Sequence, residues 1–331
     1  MDKKHAMEFQ KIYAGISKNL NNKKWKCIIN NCDNHSINSH LLQQNGILNL
    51  ISEDNHVIEV KAIDSFKWNE SNSPLTFKRI SIKQSLSLNL FCNKHDTEIF
   101  KHAETLPLDF NDYLTQILFT YRIICAEIRK KEYNIEIYQR LLNSNTLYGS
   151  LPVDNFETFI EGSKRGIEDL RVYKEKIENE LNGSEKEFEF KVLKFPLIKV
   201  YCSAGFNIYE TYATPLEEIP LKYVFIHVIP SEDSLNIILG YNKRLVKKSI
   251  IDYVNSWEGL SIGEFELRLT DLFATRVENW GLSPVIYRQL NKETENAFIK
   301  YFGENSLNYL DGQKIDFNLF EGNNYGTQQP L

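Results

Sequence analysis

Four residues combine types and spacing that could do chemistry: Cys27-x4-Cys32 and, far downstream, Cys92-x2-His95. Zinc takes four sulfur or nitrogen ligands in a tetrahedron. A Cys pair on a tight turn supplies two of them. A Cys-x2-His pair in the first turn of a helix supplies two more on one side. The turn inside the first pair, Ile28-Ile29-Asn30-Asn31, ends in two Asn residues, which suit turn backbone. The expected cofactor is therefore a structural Zn2+ on Cys27, Cys32, Cys92 and His95. The chain must fold so that 59 intervening residues bring the pairs together.

The histidines cluster in the same region. Five of seven, at 35, 40, 56, 95 and 102, fall between positions 35 and 102. His40 follows the Cys pair by eight residues, and three roles stay open for it. It could replace His95 as the fourth ligand, act as a base facing a cleft, or be a hydrogen-bonded structural imidazole. His56, in Asp54-Asn55-His56, reads as a turn residue before a strand. His5, His35, His102 and His227 read as surface or core residues. Cys125 and Cys202 sit among apolar neighbours and read as buried thiols. His227 is the one histidine available to activate Cys202, across a neighbouring strand. An odd, uneven set of five cysteines fits a reducing compartment, with thiols as metal ligands and no disulfides.

The elements that position these residues follow from periodicity. Residues 5–18 predict an amphipathic helix with Phe9, Ile12, Tyr13 and Ile16 on one face. The runs 47–51 and 56–60 read as strands, 67–75 as a polar loop, 76–91 as a strand or two, and 94–104 as the helix opened by Cys92. Asp109 or Asn111 is expected to cap a long helix carrying Leu114, Ile117, Leu118, Tyr121, Ile124, Cys125 and Ile128. After a break at 149–152, a second helix starts near Asn155. Its stripe of Phe156, Ile160, Ser163, Ile167, Leu170, Lys174, Ile177 and Leu181 is heptad-like. The pair predicts an antiparallel helical hairpin, a packing scaffold that could also support an oligomer. Asn182-Gly183-Ser184 ends it.

Beyond that point the period changes to two. Strands are expected over 188–192, 195–202, 221–229 and 234–241, with Pro230–Asp233 as a hairpin loop. Helices follow near 244–256, 263–279 and 292–302, with a helical turn at Pro284 and Trp280 packed beside it. Lys243, Arg244, Lys247 and Lys248 form a basic cluster that reads as a solvated face. The expected class is α+β: a zinc-bound module (1–106), a helical hairpin (107–184), a C-terminal sheet covered by helices (185–310) and a loose tail (311–331).

Composition excludes more than it assigns. The charged and apolar fractions are those of a globular protein. No apolar stretch long enough for a membrane span occurs, and no apolar segment follows the N-terminal lysines, so a cytoplasmic protein is expected. Residues 1–106 carry 14 Lys and Arg against 11 Asp and Glu, while the remainder carries 25 against 33. A mildly basic N-terminal module is compatible with nucleic-acid contact. Glycine-rich phosphate loops and the Gly-x-Ser-x-Gly elbow are absent.

The order Cys27-x4-Cys32, Ser39-His40, Cys92-x2-His95-Asp96 resembles a treble-clef zinc finger of the HNH nuclease family over residues 25–104. That resemblance implies a Cys pair before a strand ending in a catalytic His, then a second ligand pair opening a helix. His40 matches the general-base position, and Asp96 falls where the family binds a second, catalytic divalent cation. The stretch Leu90–Phe100, with Ser39-His40 upstream, also resembles a pattern in uncharacterised bacterial proteins of antiviral-defence type. Two functions follow as expectations. One is a zinc-binding module that contacts nucleic acid or a protein partner. The other is a divergent metal-dependent nuclease using His40 and Asp96.

Overall fold

The computed structural model describes residues 3–64, 73, 75–144, 153–208, 221–305 and 315–322. The order is α1 (Lys3–Asn21), β1 (Asn38–His40), a π-helical turn (Gln44–Leu48) running into α2 (Asn49–Ile51), β2 (His56–Ala62), β3 (Leu75–Ser81), β4 (Ser87–Asn89) and α3 (Asn93–Glu104). Then come α4 (Tyr113–Leu142), α5 (Val153–Leu181), β5 (Phe188–Pro196), β6 (Val200–Asn207), β7 (Tyr223–Pro230) and β8 (Ser234–Asn242). The chain continues with α6 (Lys248–Asn255), α7 (Ile262–Thr275), β9 (Trp280–Leu282), α8 (Pro284–Tyr287) and α9 (Lys292–Asn305). The α+β class holds. The expected loop at 67–75 and the break at 149–152 lie mostly or wholly outside the described residues.

Four local expectations are corrected. The strand expected over 195–202 straddles the end of β5 at Pro196 and the start of β6 at Val200. The helix expected over 263–279 ends at Thr275, and Trp280–Leu282 form β9. Residues 47–51 are helical, not a strand: Ile47, Leu48 and Ile51 are spaced to bury one side of a helical turn. The cap of α4 is Asp112, whose carboxylate accepts from Thr115 N, in place of Asp109 or Asn111.

Seven strands form one antiparallel sheet in the order β3-β2-β9-β6-β7-β8-β5. Strands from residues 56–81 thus extend the sheet built by the C-terminal half, with β9 as the bridge. Side chains alternate across it, as the two-residue period requires. Tyr201, Tyr223, Phe225 and Ile238 join a core with α4 and α5. Val200, Cys202, Val224, Ile226 and Val228 join a second core with Trp257, Phe265, Leu269 and Phe273 from the C-terminal helices. Trp280 is buried and stacks on Phe273, as its expected packing role requires. Of the expected tail, residues 315–322 are described, and Leu319 and Phe320 are buried in this second core.

Helix α4 is the central element. It is buried almost all round from Thr115 to Ala126, which a helix can tolerate only when packed on several sides. The α5 stripe faces it through Ile160, Ile167, Leu170 and Ile177. The polar interruption Lys174 is satisfied there by Glu178 at 2.6 Å.

The alternation also decides the Cys202 question. Cys202 and His227 face opposite sides of the sheet. His227 instead meets Ser203 Oγ (2.8 Å) and Thr120 Oγ1 (3.4 Å) on the α4 side. Full burial pushes the imidazole down to about 3. The unfolded chain, at an ordinary value near 6.5, binds a proton there that the folded one refuses. Stability from this group is complete above pH 6.5 and falls as pH drops toward 3, by up to ~1.4 kcal/mol per unit. Urea unfolding at pH 7 and pH 4.5 is expected to show a loss smaller by roughly 2 kcal/mol in His227→Gln than in wild type. Equal losses would remove His227 from the account.

Candidate metal centre

The first ligand pair sits on a knuckle closed by short backbone bonds. Cys27 N donates to Asn34 O (2.9 Å) and Ser36 N to Trp25 O (2.8 Å). Asn31 takes φ 60°, the left-handed conformation that Asn tolerates best after glycine. Ile28 N donates to Leu90 O (2.9 Å) and Ile37 N to Phe91 O (2.7 Å), which ties the knuckle to the segment entering α3. Strand β1 pairs with β4 in antiparallel register, His40 opposite Ser87. Cys92 occupies the N-cap of α3, and His95 lies in the helix's first turn. A knuckle, a two-stranded ladder and a helix thus meet at one point.

The four ligand atoms, three Sγ and one imidazole nitrogen, lie within 4.8 Å of one another. Cys27 Sγ is 3.3 Å from His95 Nδ1, Cys92 Sγ is 3.5 Å from the same nitrogen, and Cys32 Sγ is 3.9 Å from Cys92 Sγ. A tetrahedral zinc with ordinary bond lengths demands S···S of about 3.8 Å and S···N of about 3.6 Å. The cluster fits a structural Zn2+ site. No cysteine is in a disulfide.

The surroundings act in opposite directions on Cys27 and Cys92. Burial pushes the Cys27 thiol up to about 11, against backbone N–H groups of Ile29 and Cys92. Burial acts the same way on Cys92, but the His95 backbone N–H, the Cys32 and Cys27 thiols and the Asn34 amide together hold it below the usual range. A bound dication would displace the Cys27 proton, so metal affinity rises with pH.

His40 lies outside this cluster. It ends β1, is half-buried, and its Nε2 is 3.0 Å from the Ile82 carbonyl. We expect His40→Ala to keep its zinc, as elemental analysis of the purified variant will show; loss of zinc would return it to the ligand set. Asp96 sits one residue past His95, facing Arg122 (Nη2 to Oδ1, 4.0 Å). Burial lifts its carboxyl above the ordinary range, opposed by Arg122, Ser39 and His40 among its neighbours. His102 is engaged by Asp112 at 2.7 Å, a contact between α3 and the cap of α4. His56 bonds the Asp54 carbonyl in a tight turn, as its sequence position suggests.

Two arginines from α4 complete the centre and escaped sequence reasoning. Arg122, almost fully buried, lies 4.0 Å over the Phe100 ring and pairs with Glu104. Arg129 donates to the Lys26 carbonyl (2.7 Å) and stands 4.8 Å over Trp25, anchoring the knuckle's base. The available signal was charge within the apolar run Ile117–Ile128 (Arg122) and at its end (Arg129), which a buried helix admits only when the charges are partnered.

No family model, no curated protein and no solved structure matches this chain. Among the described residues, no helix is long and apolar enough to cross a membrane.

Proposed function

We propose that the Cys3His cluster holds a structural Zn2+, and that the unit it braces is a recognition module for a nucleic-acid or protein partner. The carrying observation is the convergence of four ligand atoms within 4.8 Å from two segments far apart in sequence. Zinc here ties the knuckle to the start of α3, and both rest on α4. Exposed Lys24, Lys83 and Lys94 on this unit favour a nucleic acid, whose phosphates reward sparse surface cations. The resemblance to defence-type bacterial proteins suggests the biological setting. Fluorescence anisotropy with a short DNA duplex and a single-stranded RNA tests this. Salt-sensitive binding, weakened in Lys83→Glu/Lys94→Glu, supports the nucleic-acid reading. Binding absent at low salt turns the module toward a protein partner.

The second reading is a nuclease with His40 as base and Asp96 at a catalytic divalent cation, which would stabilise charge on the scissile phosphate. It is favoured by the proximity of His40 to Asp96. Against it, the buried Arg122 guanidinium puts a permanent positive charge beside Asp96, where a second cation would have to sit. His40 Nε2 is also engaged by a backbone carbonyl. Cleavage of plasmid DNA with Mg2+ or Mn2+ that disappears in His40→Ala would establish the nuclease reading.

A further inference from the structure

The three cysteines of the metal centre are not equally open to solvent. Cys27 and Cys92 are buried, while Cys32 is half-buried at the end of the knuckle turn. Its neighbours Asn30, Asn31, Asp33 and Asn34 are exposed, so a small solute in water reaches this sulfur first. The remaining thiols, Cys125 and Cys202, are fully buried.

A partner sulfur is already in place. Cys92 Sγ lies 3.9 Å from Cys32 Sγ. Cys27 Sγ is engaged differently: it accepts the Cys92 backbone N–H at 3.3 Å and lies 3.3 Å from His95 Nδ1. An accessible sulfur beside a second one is the arrangement in which a sulfenic acid condenses to a disulfide. The two sulfurs also belong to the two segments that the metal would join, the knuckle and the N-cap of α3.

We infer that this centre is a redox switch, in which peroxide joins Cys32 to Cys92 as a disulfide and expels zinc; the inference rests on the zinc reading proposed above. The Cys32 sulfur attacks one peroxide oxygen, the O–O bond breaks, and the other oxygen takes a proton and leaves as water. The Cys92 sulfur then attacks the sulfenic sulfur of Cys32. The S–S bond forms, the S–O bond breaks, and hydroxide takes a proton and leaves as a second water. Two electrons pass from the two thiolates to peroxide, and zinc keeps its charge throughout. Left with Cys27 and His95, the dication has lost half of its tetrahedron. The disulfide spans the same two segments, so the oxidised knuckle stays fastened to α3. Removing zinc with a chelator leaves no such tie.

The test uses the full chain, purified without chelator and treated with hydrogen peroxide, with zinc read by elemental analysis and disulfides by peptide mapping. One zinc per untreated chain is expected, and its loss should track a Cys32–Cys92 disulfide, with Cys27, Cys125 and Cys202 still alkylatable after denaturation. Thiol reductant with added zinc should restore the ion. Amide exchange over residues 25–37 should be at least about tenfold slower in peroxide-treated protein than in chelator-stripped protein. Cys32→His keeps four ligands of permitted type and should lose zinc at least about tenfold more slowly under peroxide. The wild-type peptide map decides the pairing whether or not that variant takes up zinc. Zinc absent from the untreated protein would overturn the metal reading and the switch with it. Zinc retained under peroxide, zinc expelled with a disulfide to Cys27 or with sulfinic acids in place of Cys32–Cys92, or equal exchange in the oxidised and stripped proteins would overturn the switch alone.

Discussion

Cys92→Ser protein is expected to purify without zinc where wild type carries one ion per chain, and to lose the fold of the knuckle. Cys92 is the right position for three reasons. Its Sγ lies against both Cys32 and His95, so its loss opens the tetrahedron at its centre. Its thiol is the one held below the ordinary range, which makes it the readiest to bind metal. And it caps α3, joining the ligand set to the helix that rests on α4. Structural zinc in small modules contributes on the order of 10 kcal/mol at neutral pH. The knuckle has no helix or extended strand of its own, and its Ile28 and Ile29 are only partly buried against the core. The measurements are elemental analysis and amide hydrogen exchange. Protection should vanish over residues 25–37, while β6, β7 and β8 keep theirs, since their opposite face is buried in a second core that contains none of the four ligands. Stoichiometric zinc with wild-type protection in the knuckle would end the four-ligand assignment.

Gly281→Ala should destabilise the protein by about 3 kcal/mol through overpacking, although it adds one methyl group. Gly281 lies in β9, opposite Glu59 on one side and Tyr201 on the other. With no side chain between them, Tyr201 Oη reaches across and donates to Glu59 Oε1 at 2.8 Å. Ser85 Oγ donates to the same oxygen at 2.6 Å. Glu59 is buried, and Lys61 stands 2.7 Å from its other oxygen. A Cβ at 281 would lie 2.2 Å from Tyr201 Oη and 2.7 Å from the Ile58 carbonyl. The tyrosine would have to swing away, which takes one donor from a buried carboxylate, or the β2–β9 pairing would have to part. Urea denaturation checks the magnitude. Adding Tyr201→Phe should recover only part of the loss, because the Ile58 carbonyl remains in the way. Wild-type stability in Gly281→Ala would show that β9 shifts freely, contrary to its place between two strands.

Much was legible beforehand, and the reasons are physical. The helix over 94–104, the hairpin of α4 and α5, the stop at Gly183 (φ 97°) and the strands of the C-terminal half other than β9 are written in local periodicity and turn chemistry. The ligand quartet was legible because zinc chemistry admits few residue types and few spacings. Where the pattern was short and uniformly apolar, as at 47–51, period alone could not separate helix from strand, and burial on one side decided for helix. His40 shows the same limit within the site: its residue type permits ligand, base or structural roles, and only its bond to the Ile82 carbonyl places it.

By itself the sequence determined the class of this protein, most elements of its second half and a candidate set of metal ligands with His40 still open, because each of these depends on residues close in the chain or on the narrow chemistry of one ion. Only the tertiary structure decided the rest. It brought Cys27 and Cys32 to Cys92 and His95. It placed β2 and β3 in the same sheet as β5 through β9, set Arg122 beside Asp96, and turned Cys202 and His227 to opposite faces. Each is a contact between residues distant in sequence, selected by packing and hydrogen bonding across the whole fold, and no local pattern of residues encodes it.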